Sequence, residues 1–300
     1  MTKPFLVTGA TGDTGREVTR LLLEHGHAVR ALAHKHDARS EALTALGAEV
    51  VTGDLLDLDA VAAAMEGVAG AYFVYPIRPG IIEASAYFAQ AAREAEVDAI
   101  VNMSQISSRR DSLSAAARNH WIAERVFDWS GVGVTHIRPT FFAEWLLYIA
   151  PLIRSGDMVM PLGGPQARHA PIAAEDQAKV IVAILENPAA HRGQIYPLFG
   201  PEELTPDQIA EKVSTTLGRP VTYRKAEVKA FVQGFRLARG GDPNAPMDEG
   251  LLYLMQHLTE VAKDHANGLF AGHNDVIERL TGSPPLSVEA FVEKNRAAFA

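Results

Sequence analysis

Short apolar, β-branched runs alternate with stretches of helical period along the first 140 residues. Residues 5–8 (Phe-Leu-Val-Thr) read as a strand, and residues 14–25 read as a helix with Val18, Leu21 and Leu22 on one face. Gly26 ends that helix, because a left-handed cap costs glycine little. Further strands are predicted at 28–33, 49–52, 71–74, 100–103 and 134–137, with helices around 41–46, 58–65, 81–95 and 119–130. Repeated β–α units with right-handed crossovers build a parallel sheet with helices on both faces, the doubly wound α/β class.

After Pro139 the alternation stops and Gly/Pro punctuation becomes dense, as in Gly163-Gly164-Pro165 and Gly200-Pro201. The stretch Thr205-Pro206-Asp207-Gln208 is a capping box with proline at the first helical position, predicting a helix that ends at Leu217 before Gly218. We expect residues 1–140 to form the domain built on this sheet, and residues 141–300 to form a smaller α+β lobe, interleaved with the first and closing over the carboxyl edge of the sheet. A loop is expected at 240–246.

Composition narrows the function. The formal charge is −8 with no Lys/Arg run, which argues against nucleic-acid binding, since phosphate neutralisation needs clustered cations. The absence of cysteine removes disulfides, thiolate metal sites and a cysteine nucleophile. The histidines show no ligand spacing, so no metal is expected. The first strand begins by Phe5, leaving no room for a leader. The most apolar stretch, 140–153, holds Glu144 and Pro151 and is too short for a bilayer. The expectation is a cytoplasmic protein without a membrane partner.

The sharpest motif is Thr8-Gly9-Ala10-Thr11-Gly12-Asp13-Thr14-Gly15, between the first strand and the first helix. Gly9 suits the tight turn, Gly12 lets backbone approach a pyrophosphate, and Gly15 permits close helix–strand packing. The helix N-terminus offers free N–H groups and partial positive charge to phosphate. The expected ligand is a dinucleotide.

The G-x-x-G-x-x-G spacing with TGATG resembles the atypical short-chain dehydrogenases/reductases, and within them the NmrA-like family. Gly53-Asp54-Leu55-Leu56-Asp57 resembles the family's adenine-side motif, and Val74-Tyr75-Pro76 the segment beneath ribose and nicotinamide. Arg138-Pro139-Thr140-Phe141-Phe142 is similar to its R-P-x-x-F. The resemblance implies a Rossmann fold and NAD(P) as cofactor, and leaves a homodimer open.

An acid at the end of the second strand would bind an adenosine 2′-hydroxyl and repel a 2′-phosphate. Here the strand end carries His34, followed by Lys35 and Arg39, with Asp37 only later in the loop. His34 stands where the family usually has arginine. NADPH is therefore the preferred reading, with NAD the alternative.

No tyrosine in the chain has a lysine four residues on, so the proton-donating pair of ordinary short-chain reductases is missing. The resemblance places His120 where quinone-reducing relatives carry histidine, making it the candidate catalytic residue. Glu124, a turn later on the same face, reads as the partner of Arg125 or a neighbour. Met103, Ser104 and Gln105 follow the fifth strand at the carboxyl edge, placed to meet cofactor or substrate or simply to make the turn. Phe141, Phe142, Trp145 and Tyr148 are spaced to line one side of a helix and form an aromatic-accepting pocket, with His169 edging the cleft. Two functions fit: an NADPH-dependent reductase of a conjugated small molecule (quinone, azo compound or enone), or a non-catalytic NAD(P)-binding redox sensor acting through a protein partner.

Overall fold

Strand β1 (Phe5–Val7) is buried along its whole length, because it lies between two neighbours and under helices on both faces. The structure is a computed structural model that describes residues 3–238, 242 and 245–300; the loop expected at 240–246 falls largely outside them. Around β1 lie β2 (Val29–Ala33), β3 (Glu49–Thr52), β4 (Gly70–Phe73), β5 (Ala99–Met103) and β6 (Val134–Pro139). Two short strands follow, β7 (Asp157–Met160) and β8 (Ile195–Leu198), and then β9 (Thr222–Lys225). Seven strands form one parallel sheet in the order β3-β2-β1-β4-β5-β6-β8, and β7 pairs β9 in a second, two-stranded sheet. The chain walks outward from β1 to β3 and returns to β4 beside β1. That reversal opens a crevice at the carboxyl ends of β1 and β4, the place where open α/β sheets bind ligands.

The helices of the sheet layer are α1 (Asp13–Glu24), α2 (Ala38–Leu46), α3 (Leu58–Met65), α4 (Ile81–Glu94) and α5 (Ala115–Trp129). All five predicted helices and six predicted strands are present within a few residues of their expected ends. Two start earlier than periodicity implies because caps, not apolar residues, fix them: Asp37 accepts from the Arg39 and Ser40 N–H groups, and Ser114 from that of Ala117. In the later part come α6 (Trp145–Tyr148), α7 (Ala150–Arg154), α8 (Ala174–Glu186), α9 (Pro206–Leu217), α10 (Val228–Ala238), α11 (Glu249–Ala266) and α12 (Val276–Thr281). Helix α9 carries the predicted capping box, with Thr205 and Gln208 exchanging bonds and Gly218 left-handed after it.

The chain crosses between two cores more than once. Leu146, Ile153, Met158, Val213 and Phe291 pack in the second lobe. Ile181, Ile184, Leu198 and Ile277, from α8, β8 and α12, pack instead with Val7, Val18 and Leu22 of the sheet layer. Of the seven strands of the main sheet, β8 is the one periodicity misses: four residues containing Pro197, a residue that a strand tolerates at a sheet edge, which is where β8 lies. No helix among the described residues is long and apolar enough to cross a membrane.

Candidate functional site: a glycine turn facing an apolar cavity

The glycine turn is built for close approach. Gly9 has φ +55°, and a Cβ there would lie 2.4 Å from the Val74 side chain. A Cβ on Gly15 would lie 2.3 Å from the Gly9 carbonyl oxygen, so the first turn of α1 can sit on β1 only as glycine. Thr8 locks the turn to the neighbouring strand end, its hydroxyl accepting from the Val74 N–H at 2.9 Å. Gly12 caps α1 without a side-chain hydrogen bond, which leaves the first-turn N–H groups of a twelve-residue helix for an external anion. The Thr14 hydroxyl is engaged with Gln177 and the Asp13 carboxylate with Tyr148, so it is the backbone of the turn from Thr11 to Gly15 that fits a pyrophosphate. A Gly15→Ala substitution will push backbone against backbone and cost about thirtyfold in NADPH affinity, roughly 2 kcal/mol. Gly12→Ala is the steric control: its Cβ meets only the Gly9 oxygen, at 3.2 Å, so its melting temperature will fall far less. Fluorescence titration of NADPH and thermal melts of both variants check this.

At the end of β2 the side chains are cationic or neutral. His34 and Lys35 are exposed, and His34 Nδ1 lies 3.8 Å from Asp54 Oδ2. Asp37 accepts two N–H groups of α2 and binds the Arg39 guanidinium at 2.7 Å, which holds its carboxyl below the usual range. The carboxylate nearest the strand end is thus engaged in capping. Asp54 also binds the Leu56 N–H at 2.9 Å, shaping the Asp54–Leu55 turn after β3.

Beyond the carboxyl ends of β4, β5 and β6 lies a cavity of about 290 Å³. The sheet side supplies Val74, Tyr75, Pro76, Met103, Ser104, Gln105 and Pro139, and the second lobe Phe141, Phe142 and Trp145. His120 of α5 reaches the same cavity. Among the described residues the buried Gln105 Nε2 has no hydrogen-bond partner, as expected of a group reserved for a ligand, while the Ser104 hydroxyl lies against the Glu124 carboxylate. Two pocket candidates are elsewhere. Helix α6 is a single turn, so the stripe expected from 141 to 148 breaks, and the Tyr148 hydroxyl donates to Asp13 of the glycine turn. His169 stands behind the wall, hydrogen-bonded to His265 at 2.8 Å.

Burial sets the charges. His120 is 5% exposed, and desolvation, helped by nearby His257, lowers its pKa to about 3. The imidazole is therefore neutral, and among the described residues neither ring nitrogen is hydrogen-bonded, leaving its N–H free for a ligand. Glu124, fully buried one turn along α5, pairs with Arg138 at 2.6 and 2.8 Å rather than chiefly with Arg125, which lies 3.4 Å away. Burial opposes its ionisation, but the guanidinium holds the carboxyl below its usual range. His257 and His265 also line the cavity, with Val261 between them on α11. Their i, i+4, i+8 spacing is visible in the sequence, but only the folded lobe brings that face to the sheet edge. Among the described residues no three His, Asp or Glu side chains are grouped as metal ligands would be.

The NmrA-like family model matches residues 1–291. The NAD(P)H azoreductase of Xenophilus azovorans is 33% identical over 298 residues, covering 98% of this chain and 99% of that protein. A (4-alkanoyl-5-oxo-2,5-dihydrofuran-3-yl)methyl phosphate reductase of Streptomyces griseus subsp. griseus is 32% identical over 304 residues, covering 99% of both. Among solved structures, the NADPH complex of an NADPH-dependent quinone oxidoreductase from Escherichia coli superposes with a TM-score of 0.79 at 23% identity, covering 97% of this chain and 99% of that one. The glycine turn, the strand-end segments around the cavity and this match over nearly the whole length lead to one assignment: the chain belongs to the NmrA-like family.

Proposed function

We propose that this protein is an NADPH-dependent reductase of small conjugated acceptors of the quinone, azo or enone type. The observation that carries the reading is the apolar, aromatic-walled cavity open against the strand ends that follow the glycine turn, with His120 in its wall. The likeness to a relative named as an NAD(P)H azoreductase supports the reductase class. The exposed Lys35 at the end of β2, beside an Asp37 already engaged in capping, supports NADPH over NADH. A sensor acting through a protein partner has no need of a cavity lined by ligand-ready polar atoms.

When bound, the dihydronicotinamide supplies a hydride to the acceptor. The protein's own part is positioning and polarisation. Phe141, Phe142 and Trp145 would hold a flat ring and keep water away, and Ser104 and Gln105 would offer hydrogen bonds at the edge of the sheet. A neutral imidazole with a pKa of about 3 is not a proton reservoir at neutral pH. His120 would donate a hydrogen bond to the acceptor atom that gains charge, and the proton would come from solvent.

NADPH consumption with a panel of quinones, azo compounds and enones tests the reading. Acceptor-dependent loss of reduced nicotinamide absorbance is expected; tight NADPH binding with no turnover of any acceptor would transfer the case to the sensor. His120→Ala should lower kcat about tenfold, the scale of one lost hydrogen bond to a developing charge. Wild-type kcat should show no inflection attributable to His120 from pH 6 to 9, because its titration lies far below that range. An inflection near pH 6.5 that vanishes in the variant would contradict this role.

A further inference from the structure

The second-lobe side of the cavity has a hydrogen-bond polarity fixed by a pair of buried histidines. His169 Nε2 lies 3.2 Å from the Leu162 carbonyl oxygen, which can only accept, so that nitrogen carries the proton. Burial keeps the His169 ring neutral, lowering its pKa to about 4, so its Nδ1 is bare. His265 Nδ1 sits 2.8 Å from that bare nitrogen and must therefore be the donor. Burial keeps His265 neutral as well, and its Nε2 is left with a lone pair. The ring is held against Phe270, centroids 3.8 Å apart and planes 19° from parallel. The His265 and Phe270 rings line the cavity, and His265 Nε2 has no hydrogen-bond partner among the described residues.

The charge of the wall is equally definite. Among the described residues, no Asp, Glu, Lys or Arg lines this cavity. The ionised groups nearby are paired off: Glu124 with Arg138, and Arg109 with Asp264 at 2.7 Å. An anionic ligand would be desolvated there without a counter-charge, a far larger cost than leaving a neutral polar atom unpaired. The relative from Streptomyces griseus, whose name specifies a phosphate monoester, makes the contrast concrete: this cavity offers a phosphate no cation.

We propose that the cavity selects uncharged conjugated molecules that carry a hydroxyl or amine hydrogen, and that the bare Nε2 of His265 receives it. His265 is a specificity-determining residue, with His169 orienting it. The inference rests on the reductase reading, because it names the acceptor class of the same cavity.

Equilibrium dialysis of three azobenzenes against the full chain saturated with tetrahydro-NADPH, a redox-inert analogue whose ring is neutral, tests the idea without turnover. 4-Hydroxyazobenzene should bind about tenfold more tightly than 4-methoxyazobenzene, the worth of one buried hydrogen bond. Azobenzene-4-sulfonate should bind at least about tenfold more weakly than the methoxy compound. In His265→Phe, which keeps an aromatic ring against Phe270, the hydroxy-to-methoxy ratio should collapse to about one while the sulfonate stays excluded. Equal binding of the hydroxy and methoxy compounds to wild type, or sulfonate binding as tight as methoxy, overturns the inference; reduction of the sulfonate with NADPH would then leave the reductase reading standing. If no azobenzene or quinone binds while NADPH does, the reductase reading fails and takes the inference with it.

Discussion

Replacing Arg138 with methionine will destabilise the protein by about 3–5 kcal/mol, the usual cost of removing one partner from a buried ion pair. Glu124 is fully buried, and both its oxygens bind the Arg138 guanidinium. Arg125 reaches it at only 3.4 Å and is shared with Asp128. Burial is already the largest single influence on Glu124, and with Arg138 gone it is no longer outweighed, so the carboxyl will take up a proton rather than stay charged. Melting should fall by roughly 10 °C. The double variant Glu124→Gln/Arg138→Met should recover much of the loss, because it removes both charges. A single variant that melts with wild type would mean that the pair contributes nothing. The pair also ties α5, which carries His120, to β6, so the single variant should lose turnover beyond its loss of folded protein.

Acidification from pH 8 to 4.5 will cost the fold at least about 5 kcal/mol. His120, His169 and His257 are all buried, with pKa values lowered by desolvation to about 3, about 4 and about 4. In the unfolded chain they titrate near 6.5. Between 6.5 and those lower values the unfolded state binds protons that the folded state refuses. The stability they contribute is therefore present above pH 6.5 and lost as pH falls, by roughly 2 to 3 kcal/mol each at pH 4.5. Burial acts the opposite way on Glu144, raising its pKa to about 7. Folded Glu144 takes up its proton first, which returns about 3 kcal/mol over the same range. His265, lowered well below its usual value, adds to the loss. Urea denaturation at a series of pH values should show the unfolding free energy falling below pH 6.5, and His257→Phe should flatten that fall. A stability that stays level down to pH 4.5 would show that these imidazoles are hydrated rather than buried.

How much of this was legible beforehand follows from the range of the interactions. The parallel sheet layer was readable because β-branched runs and helical stripes are local patterns, and Gly9 and Gly15 are demanded by backbone geometry within a single turn. Strand β8 was not readable, since four residues containing Pro197 carry no period and pair only because β6 offers an edge. The cationic end of β2 was visible as residue types, but the engagement of Asp37 in a cap became visible only once α2 was placed.

The amino-acid sequence by itself thus determined the doubly wound sheet, the phosphate-binding turn and the candidacy of His120, all set by neighbours within a few residues. Tertiary structure decided what surrounds them. Glu124 met Arg138 from another element, Tyr148 turned to Asp13, and α11 brought His257 and His265 to a cavity more than 100 residues away in sequence from Ser104. The electrostatics of the site, neutral imidazoles in a wall without a free charge, exist only after burial removes water from groups that no local pattern brings together.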